Sequence, residues 1–372
     1  MRIGIASTFP PYRGGIAQFN DAMAKALLQA GHEVHCATWS RQYPELLFPG
    51  KTQFEPGKSI ADANMPCSLD SISPGSWKRV GRQFGKQHKV DVLLLPFWHA
   101  ALAPALTSVA KHAKSQGVRM VFAIMHNANS HDGKAWEATL TKRFLAACDG
   151  VATLSNSVSA KLQPWKPVTL FHPLYEHFPN GPTRLEARRQ LQLSDGDVAH
   201  LFFGLIRPYK GLGVLIEALS HLPAHHKLLV AGECYEDWSA YQAQIDNHGL
   251  QDRVQLHLEF IPDNLVPVFM QACDDVVLPY LDASQSGVTA LALHHEKKVV
   301  ASDVGDLGTT IVPNLTGRLV PPGQPRALVE ALSTPWHAQP ADQAMAFKAV
   351  KEKFSWSAWA AQLTQQVQSE EM

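Results

Sequence analysis

Arg207 and Lys210 stand three residues apart in the stretch Phe202-Phe203-Gly204-Leu205-Ile206-Arg207-Pro208-Tyr209-Lys210-Gly211. An apolar run ends in Gly204 and an amphipathic helix begins near Gly211, so both cations occupy a turn from strand to helix. Open α/β sheets bind ligands at such strand ends. The free N–H groups and dipole of a helix start favour an anion. Two fixed positive charges in that turn suit a diphosphate, and the same spacing also fits two solvated loop cations. Phe9-Pro10-Pro11-Tyr12-Arg13-Gly14-Gly15-Ile16 makes a comparable corner near the start of the chain. Gly14 and Gly15 let the backbone turn tightly or let another group approach it closely; a purely structural turn reads equally well. The spacing is neither Gly-x-Gly-x-x-Gly nor a Walker loop, so nothing here specifies a dinucleotide.

Other polar residues fall at the ends of apolar runs. His126 follows Val121-Phe122-Ala123-Ile124-Met125, and Asn127, His131 and Asp132 continue the same loop. That cluster can meet hydroxyl groups or simply cap the loop. Trp98, within Phe97-Trp98-His99, lines a cleft or packs. Glu233 follows Leu228-Leu229-Val230-Ala231 at another carboxyl strand end. Ser286-Gly287-Val288 opens a helical stretch and offers a hydroxyl and N–H groups to a phosphate.

Two βα series must position these residues. The first is read as strands 2–7, 33–39, 90–95, 120–125 and 151–154 with helices 16–30, 101–116 and 135–147. The second has strands 200–204, 227–231, 253–256, 275–279, 298–301 and 318–320. Helices 212–220, 238–248, 264–272, 287–295 and 325–333 alternate with them. Such alternation implies doubly wound parallel sheets, and 372 residues are too many for one ordinary core. The expected architecture is two Rossmann-like α/β domains, 1–180 and 181–354, facing across a cleft. The helix 355–369 carries Trp356 and Trp359 as packing residues and is expected to return to the first domain. Residues 41–75 are expected to be an irregular insert.

Composition narrows the function. Lys plus Arg and Asp plus Glu balance at 33 each, so no global charge draws the chain to nucleic acid or an anionic bilayer. The basic and aromatic residues of 77–89 could touch anionic lipid heads, although a solvated helix face fits them too. The opening residues read as a strand and not as a signal peptide. Five scattered Cys read as free thiols, which places the chain in the cytoplasm, with peripheral contact at the inner membrane face as an extension of that reading. The 18 His are expected mostly at the surface.

Pro11-x-x-Gly14-Gly15, Gly204-x-x-Arg207-x-x-Lys210-Gly211, Val299-Val300-Ala301-Ser302-Asp303-Val304-Gly305 and Asn314-Leu315-Thr316-Gly317-Arg318-Leu319-Val320-Pro321-Pro322 together resemble the retaining glycosyltransferases of family four. The resemblance is strongest over 200–333. It implies the GT-B fold, a nucleotide-sugar donor, an acceptor hydroxyl on a glycan or lipid-linked saccharide, and neither metal nor cofactor. It implies that Arg207 and Lys210 clamp the donor diphosphate and that His126 lies beside the donor sugar. Gly14, Gly15, Glu233, Ser286, Gly287 and Val288 become donor contacts. Arg13, Asn127, His131, Asp132 and Trp98 become acceptor contacts. One departure stands out: the family's Glu-x7-Glu pair falls on Ala283 and Leu291, so neither carboxylate is present. That loss leaves ribose recognition to Glu233 or Asp282. It also keeps open a non-catalytic nucleotide-sugar-binding paralogue, and, as a second rival, a GT-B nucleotide-sugar epimerase.

Overall fold

The computed structural model describes residues 1–43, 53–55, 57–127, 135–176, 178–179 and 181–370. The chain forms two compact units, Met1–His172 with Ser355–Met372, and Pro173–Phe354. The strands of the first are β1 (Arg2–Ala6), β2 (Glu33–Arg41), β3 (Cys67–Asp70), β4 (Val92–Phe97), β5 (Met120–Met125), β6 (Gly150–Thr153) and β7 (Val168–Thr169). They form one parallel sheet in the order β3-β2-β1-β4-β5-β6-β7. Around it lie α1 (Gly15–Gln29), α2 (Pro74–Lys86), α3 (Ala103–Lys114), α4 (Ala135–Leu145) and α5 (Asn156–Lys161).

The second unit carries α6 (Arg184–Gln190), β8 (Val198–Phe203), α7 (Leu212–Ser220), β9 (His226–Ala231), α8 (Ser239–Asn247) and β10 (Val254–His257). It continues with α9 (Val266–Ala272), β11 (Asp275–Leu278), α10 (Gly287–His294), β12 (Lys298–Ser302), β13 (Gly317–Val320), α11 (Pro325–Ser333) and α12 (Pro340–Lys353). Its sheet is also parallel, ordered β10-β9-β8-β11-β12-β13. The chain reverses direction across the sheet between β8 and β11. In such open sheets ligands bind outside the carboxyl ends of the strands at that point.

Both faces of each sheet are covered, which is why the central strands read as unbroken apolar runs. Every residue of β4 and β5 is buried. Their side chains nonetheless divide by the pleat. Leu93, Leu95, Phe97, Val121, Ala123 and Met125 join one core cluster, and Val92, Leu94, Met120, Phe122 and Ile124 the other. The second cluster receives α13 (Trp356–Glu370), whose Trp356 and Trp359 are buried with Phe19 of α1. The reading of those tryptophans as packing residues holds.

Three readings need correction. Residues 41–75 are not wholly irregular: β3 pairs with β2, and Ser59 and Asp62 form a reciprocal cap on a short 3-10 turn. The six-residue α5 and the fourteen-residue α12 are not expected from the sequence; both lie in polar stretches where apolar periodicity is weak. The histidines are mostly half-buried and not exposed. Among the described residues only His221, His225, His248 and His337 are exposed, and His126, His200 and His226 are buried. No described helix is long and apolar enough to cross a membrane.

Three of the buried polar groups chain across adjacent strands. His200 Nδ1 lies 2.8 Å from Asp275 Oδ1, and His200 Nε2 lies 2.8 Å from His226 Nδ1. Burial, helped by the neighbouring His200 and His225, pushes His226 down from 6.5 to about 4, against the pull of Asp275. The unfolded chain thus takes up a proton that the folded chain refuses, and stability falls as pH drops from about 6.5 toward 4. We expect His226→Gln to lower the melting temperature at pH 7.5, where a buried hydrogen bond is worth about 1–3 kcal/mol. The gap from wild type should narrow at pH 5; a constant gap in melts at both pH values would contradict the assignment.

Candidate functional site

In the second unit, three loops, after β8, β9 and β11, meet at the carboxyl edge of the sheet. After β8 the chain turns through Gly204, runs extended to Arg207 and makes a 3-10 turn over Pro208–Lys210. Gly211 closes that turn at φ 69° and begins α7. A Cβ on Gly211 would stand 2.1 Å from the carbonyl oxygen of Pro279, so only glycine lets this turn dock on the loop after β11. The Leu281 N–H donates to the Tyr209 carbonyl at 2.7 Å and fixes the same junction. Gly232, after β9, meets the Gly204 carbonyl in the same manner, its Cβ position 2.1 Å away. The pairing of β8 with β9 therefore continues past the strand ends, and Ile206 N–H donates to the Glu233 carbonyl at 2.8 Å.

This backbone buries Lys210, which is 8% exposed. Its Nζ lies 5.5 Å from the centroid of the Tyr280 ring and 3.4 Å from where a Cβ on Gly204 would be. That Cβ position is also 3.5 Å from Val288 Cγ2, so the ammonium lies near the amino end of α10. Burial pushes its pKa down; Tyr209 opposes the shift and the Arg207 guanidinium adds to it. Arg207 is half-buried, its guanidinium carbon 4.8 Å above the Tyr235 ring. Among the described residues neither cation forms an ion pair with a carboxylate. Two neighbouring cations, one of them desolvated, create a potential that a polyvalent anion would relieve.

Ser286 caps α10, its hydroxyl accepting from the Val288 N–H at 3.2 Å. Thr289 and Ala290 donate to the Ser286 carbonyl. The Val288 amide, expected to meet a ligand, is thus already engaged, and Gly287 supplies the remaining N–H of the first turn. Glu233 is half-buried and accepts from the Tyr235 hydroxyl at 3.1 Å. Tyr235 and Tyr280, which the sequence reading passed over, thereby shape the site. Tyr235 lies beneath Arg207 and holds Glu233, while Tyr280 faces Lys210 with its hydroxyl 3.4 Å from Ser286 Oγ. Their only sequence signal is position, each at the end of a strand.

In the first unit, Gly14 precedes α1 at φ 104° and is exposed, with no atom within 4 Å of a Cβ position. Glycine is needed there for its backbone angle and not for space. Gly15 is likewise exposed, and the Arg13 N–H donates to the Gln53 carbonyl at 3.0 Å. His126 ends β5, is 4% exposed and meets the edge of Phe19 at 4.7 Å between centroids. Burial, with His172 adding, pushes it down to about 3, so it is a neutral imidazole at ordinary pH. Its Nε2 is buried with no partner among the described residues. Nearby on α1, Asn20 Nδ2 donates to Ser7 Oγ and to the Thr8 carbonyl, both at 2.8 Å, while Asn20 Oδ1 is unpartnered. Asn127 is half-buried, and Trp98 packs against the core cluster as a partly buried side chain. His131 and Asp132 lie outside the described residues.

Both parts of the chain match known families. Residues 198–336 match the family model of glycosyl transferases group 1, and residues 13–181 that of glycosyltransferase family 4. A D-inositol 3-phosphate glycosyltransferase of Xylanimonas cellulosilytica is 32% identical over 152 residues, 40% of this chain and 36% of the relative. The O-antigen chain mannosyltransferase C of Escherichia coli is 28% identical over 209 residues, 53% of this chain and 54% of the relative. The chain thus spans about half or less of the curated relatives it matches. Among solved structures, Anabaena HepE in complex with UDP superposes with a TM-score of 0.73 at 17% identity, over 99% of this chain and 100% of that one.

The burial of Lys210 generates a two-sided expectation. Replacing an uncompensated buried charge by an apolar side chain of similar length relieves its desolvation. Lys210→Met should therefore melt no lower than wild type without ligand. The same variant should lose the stabilisation that a saturating nucleoside diphosphate gives wild type, about 3 kcal/mol at a hundredfold excess over Kd. Equal ligand-induced shifts in both proteins would remove Lys210 from the site.

Proposed function

We propose that this chain, whose residues 198–336 match the model of glycosyl transferases group 1 and whose residues 13–181 match that of glycosyltransferase family 4, moves a sugar from a nucleoside diphosphate donor to an acceptor hydroxyl, with retention and without a metal. The observation that carries this reading is the buried ammonium of Lys210 beside Arg207, with Gly287 at the start of α10. In the proposed step the acceptor oxygen attacks the anomeric carbon while the bond from that carbon to the diphosphate oxygen breaks. The bonding electrons go to the diphosphate, and the acceptor proton passes to it on the same face, which preserves configuration. Negative charge grows on the leaving group during this step. Cations fixed against it stabilise the transition state more than the bound donor. A divalent ion commonly plays that part, and here it is assigned to Arg207 and Lys210.

Gly14, Gly15, Glu233, Ser286 and Gly287 complete the proposed donor contacts, with Val288 contributing its side chain in place of its amide. His126 is proposed to meet a sugar hydroxyl through Nε2, as a neutral hydrogen-bonding group and not as an acid. Arg13, Asn127 and Trp98, with His131 and Asp132, are proposed for the acceptor. A glycan or lipid-linked saccharide is favoured by the name of the Escherichia coli relative, an O-antigen chain mannosyltransferase, and UDP is the nucleotide in the HepE complex. Peripheral contact with an anionic bilayer on the cytoplasmic side belongs to the same reading. A non-catalytic binding paralogue is favoured only by the missing motif glutamates at Ala283 and Leu291.

Screening UDP-, GDP- and ADP-sugars by thermal shift, then by donor hydrolysis and transfer, tests the proposal. One donor should stabilise the chain and be turned over, with turnover unchanged by EDTA. Arg207→Ala and Lys210→Ala should each lower the rate by about 10²-fold or more. Binding without turnover would favour the paralogue, and a sugar epimer released without acceptor would favour the epimerase.

A further inference from the structure

A second positively charged cavity lies at the opposite edge of the first sheet, near the amino ends of β1, β4 and β5. It has a volume of about 510 Å³ and is lined by Arg2, Lys86, Lys89, Asp91 and Arg119 together with backbone of Gly117. Four cations thus surround one carboxylate. Asp91 is committed: it accepts from the Arg2 N–H at 2.7 Å and pairs with the guanidinium groups of Arg2 at 3.7 Å and Arg119 at 3.1 Å. It holds both arginines at the cavity and is held low by the Arg2 amide and both guanidiniums against the effect of burial. Lys86 and Lys89 are exposed and add two charges with no carboxylate of their own at the cavity. A cavity of this size and sign suits a phosphate group.

The cations do not stop at the rim. Lys78, Arg79, Arg82 and Lys86 are exposed on α2, a helix with no acidic residue. At about 100° per residue these four fall within an arc of about 100° on one side of the helix. Ile72, 56% exposed, precedes the same helix. A small soluble anion would use the cavity alone, whereas a row of cations leading into it matches phosphates displayed on a surface. We propose that the cavity and the exposed side of α2 dock the phosphate headgroups of an anionic lipid bilayer, with one headgroup seated among Arg2, Lys86, Lys89 and Arg119. This deepens the peripheral contact proposed above, and it is independent of the donor site because it shares no residue with it.

The test uses the full chain without nucleotide, mixed with vesicles of phosphatidylcholine alone or with phosphatidylglycerol, and separated by flotation. Wild type should float with the phosphatidylglycerol vesicles and not with phosphatidylcholine, and raising the salt from 0.1 M to 0.5 M, which shortens the Debye length about twofold, should release it. The double variant Lys86→Glu/Lys89→Glu should bind at least about tenfold more weakly, while its circular dichroism and its thermal shift with donor match wild type. Unchanged flotation of a folded double variant would overturn the cavity assignment. No flotation of wild type would overturn the proposal outright, as would inorganic pyrophosphate binding in calorimetry that the Lys86→Glu/Lys89→Glu variant loses, without vesicle binding. Lys210→Ala separates the two readings, since it should float normally whether or not it transfers sugar.

Discussion

The burial of one ammonium group organises the second unit. An amine taken from water into protein costs several kcal/mol unless something compensates it, and Lys210 has no carboxylate to do so among the described residues. What holds it there is backbone. The turn of Pro208–Lys210 is pinned against the β11 loop through Gly211, and the β8 and β9 loops are pinned to each other where Gly232 meets the Gly204 carbonyl. Adding a methyl group at either glycine would force backbone apart. The fold's stability is thus committed to a cation that is electrostatically unsatisfied, which is what a site built for a polyanion requires.

The aromatic residues around that cation explain how the site remains positive. Carboxylates beside Arg207 and Lys210 would neutralise them and compete with a ligand. Tyr235 and Tyr280 instead present ring faces, which stabilise cations without cancelling their charge. The carboxylate of Glu233 accepts from the Tyr235 hydroxyl. Ala283 is buried in the loop after β11, with its carbonyl against Gly305. A larger side chain there would have to share a packed junction.

Much of the architecture was legible because buried parallel strands are written as apolar runs, and β4, β5, β8 and β9 all fall where those runs lie. Arg207 and Lys210 were legible because a glycine, two cations and a second glycine mark a strand-to-helix turn. The missed parts have different causes. β3 is short and lies at the sheet edge, where few residues need be apolar. The buried histidines were misread because a polar residue within an apolar strand shows its partners only in three dimensions. His200 finds Asp275 and His226 75 and 26 residues away. Tyr235 and Tyr280 carry no motif at all, and their roles follow from which loops the sheet order brings together.

The same dependence on distant chain segments governs the first unit. Phe19 touches His126 at 4.7 Å and His172 at 5.5 Å, and on its other sides meets Trp356 at 5.0 Å and Trp359 at 5.8 Å. One ring therefore links the imidazole at the end of β5 to α13, more than two hundred residues later in the chain. Because Phe19 is wholly buried, its position is set by close packing, which transmits small displacements instead of absorbing them. The neutral state of His126 has the same origin, since burial is the larger cause of its lowered pKa. Removing the tryptophans would admit water beside Phe19 and weaken both the packing and the desolvation. In this unit the helix that follows the second unit is thus part of what makes His126 a buried, neutral hydrogen-bonding group.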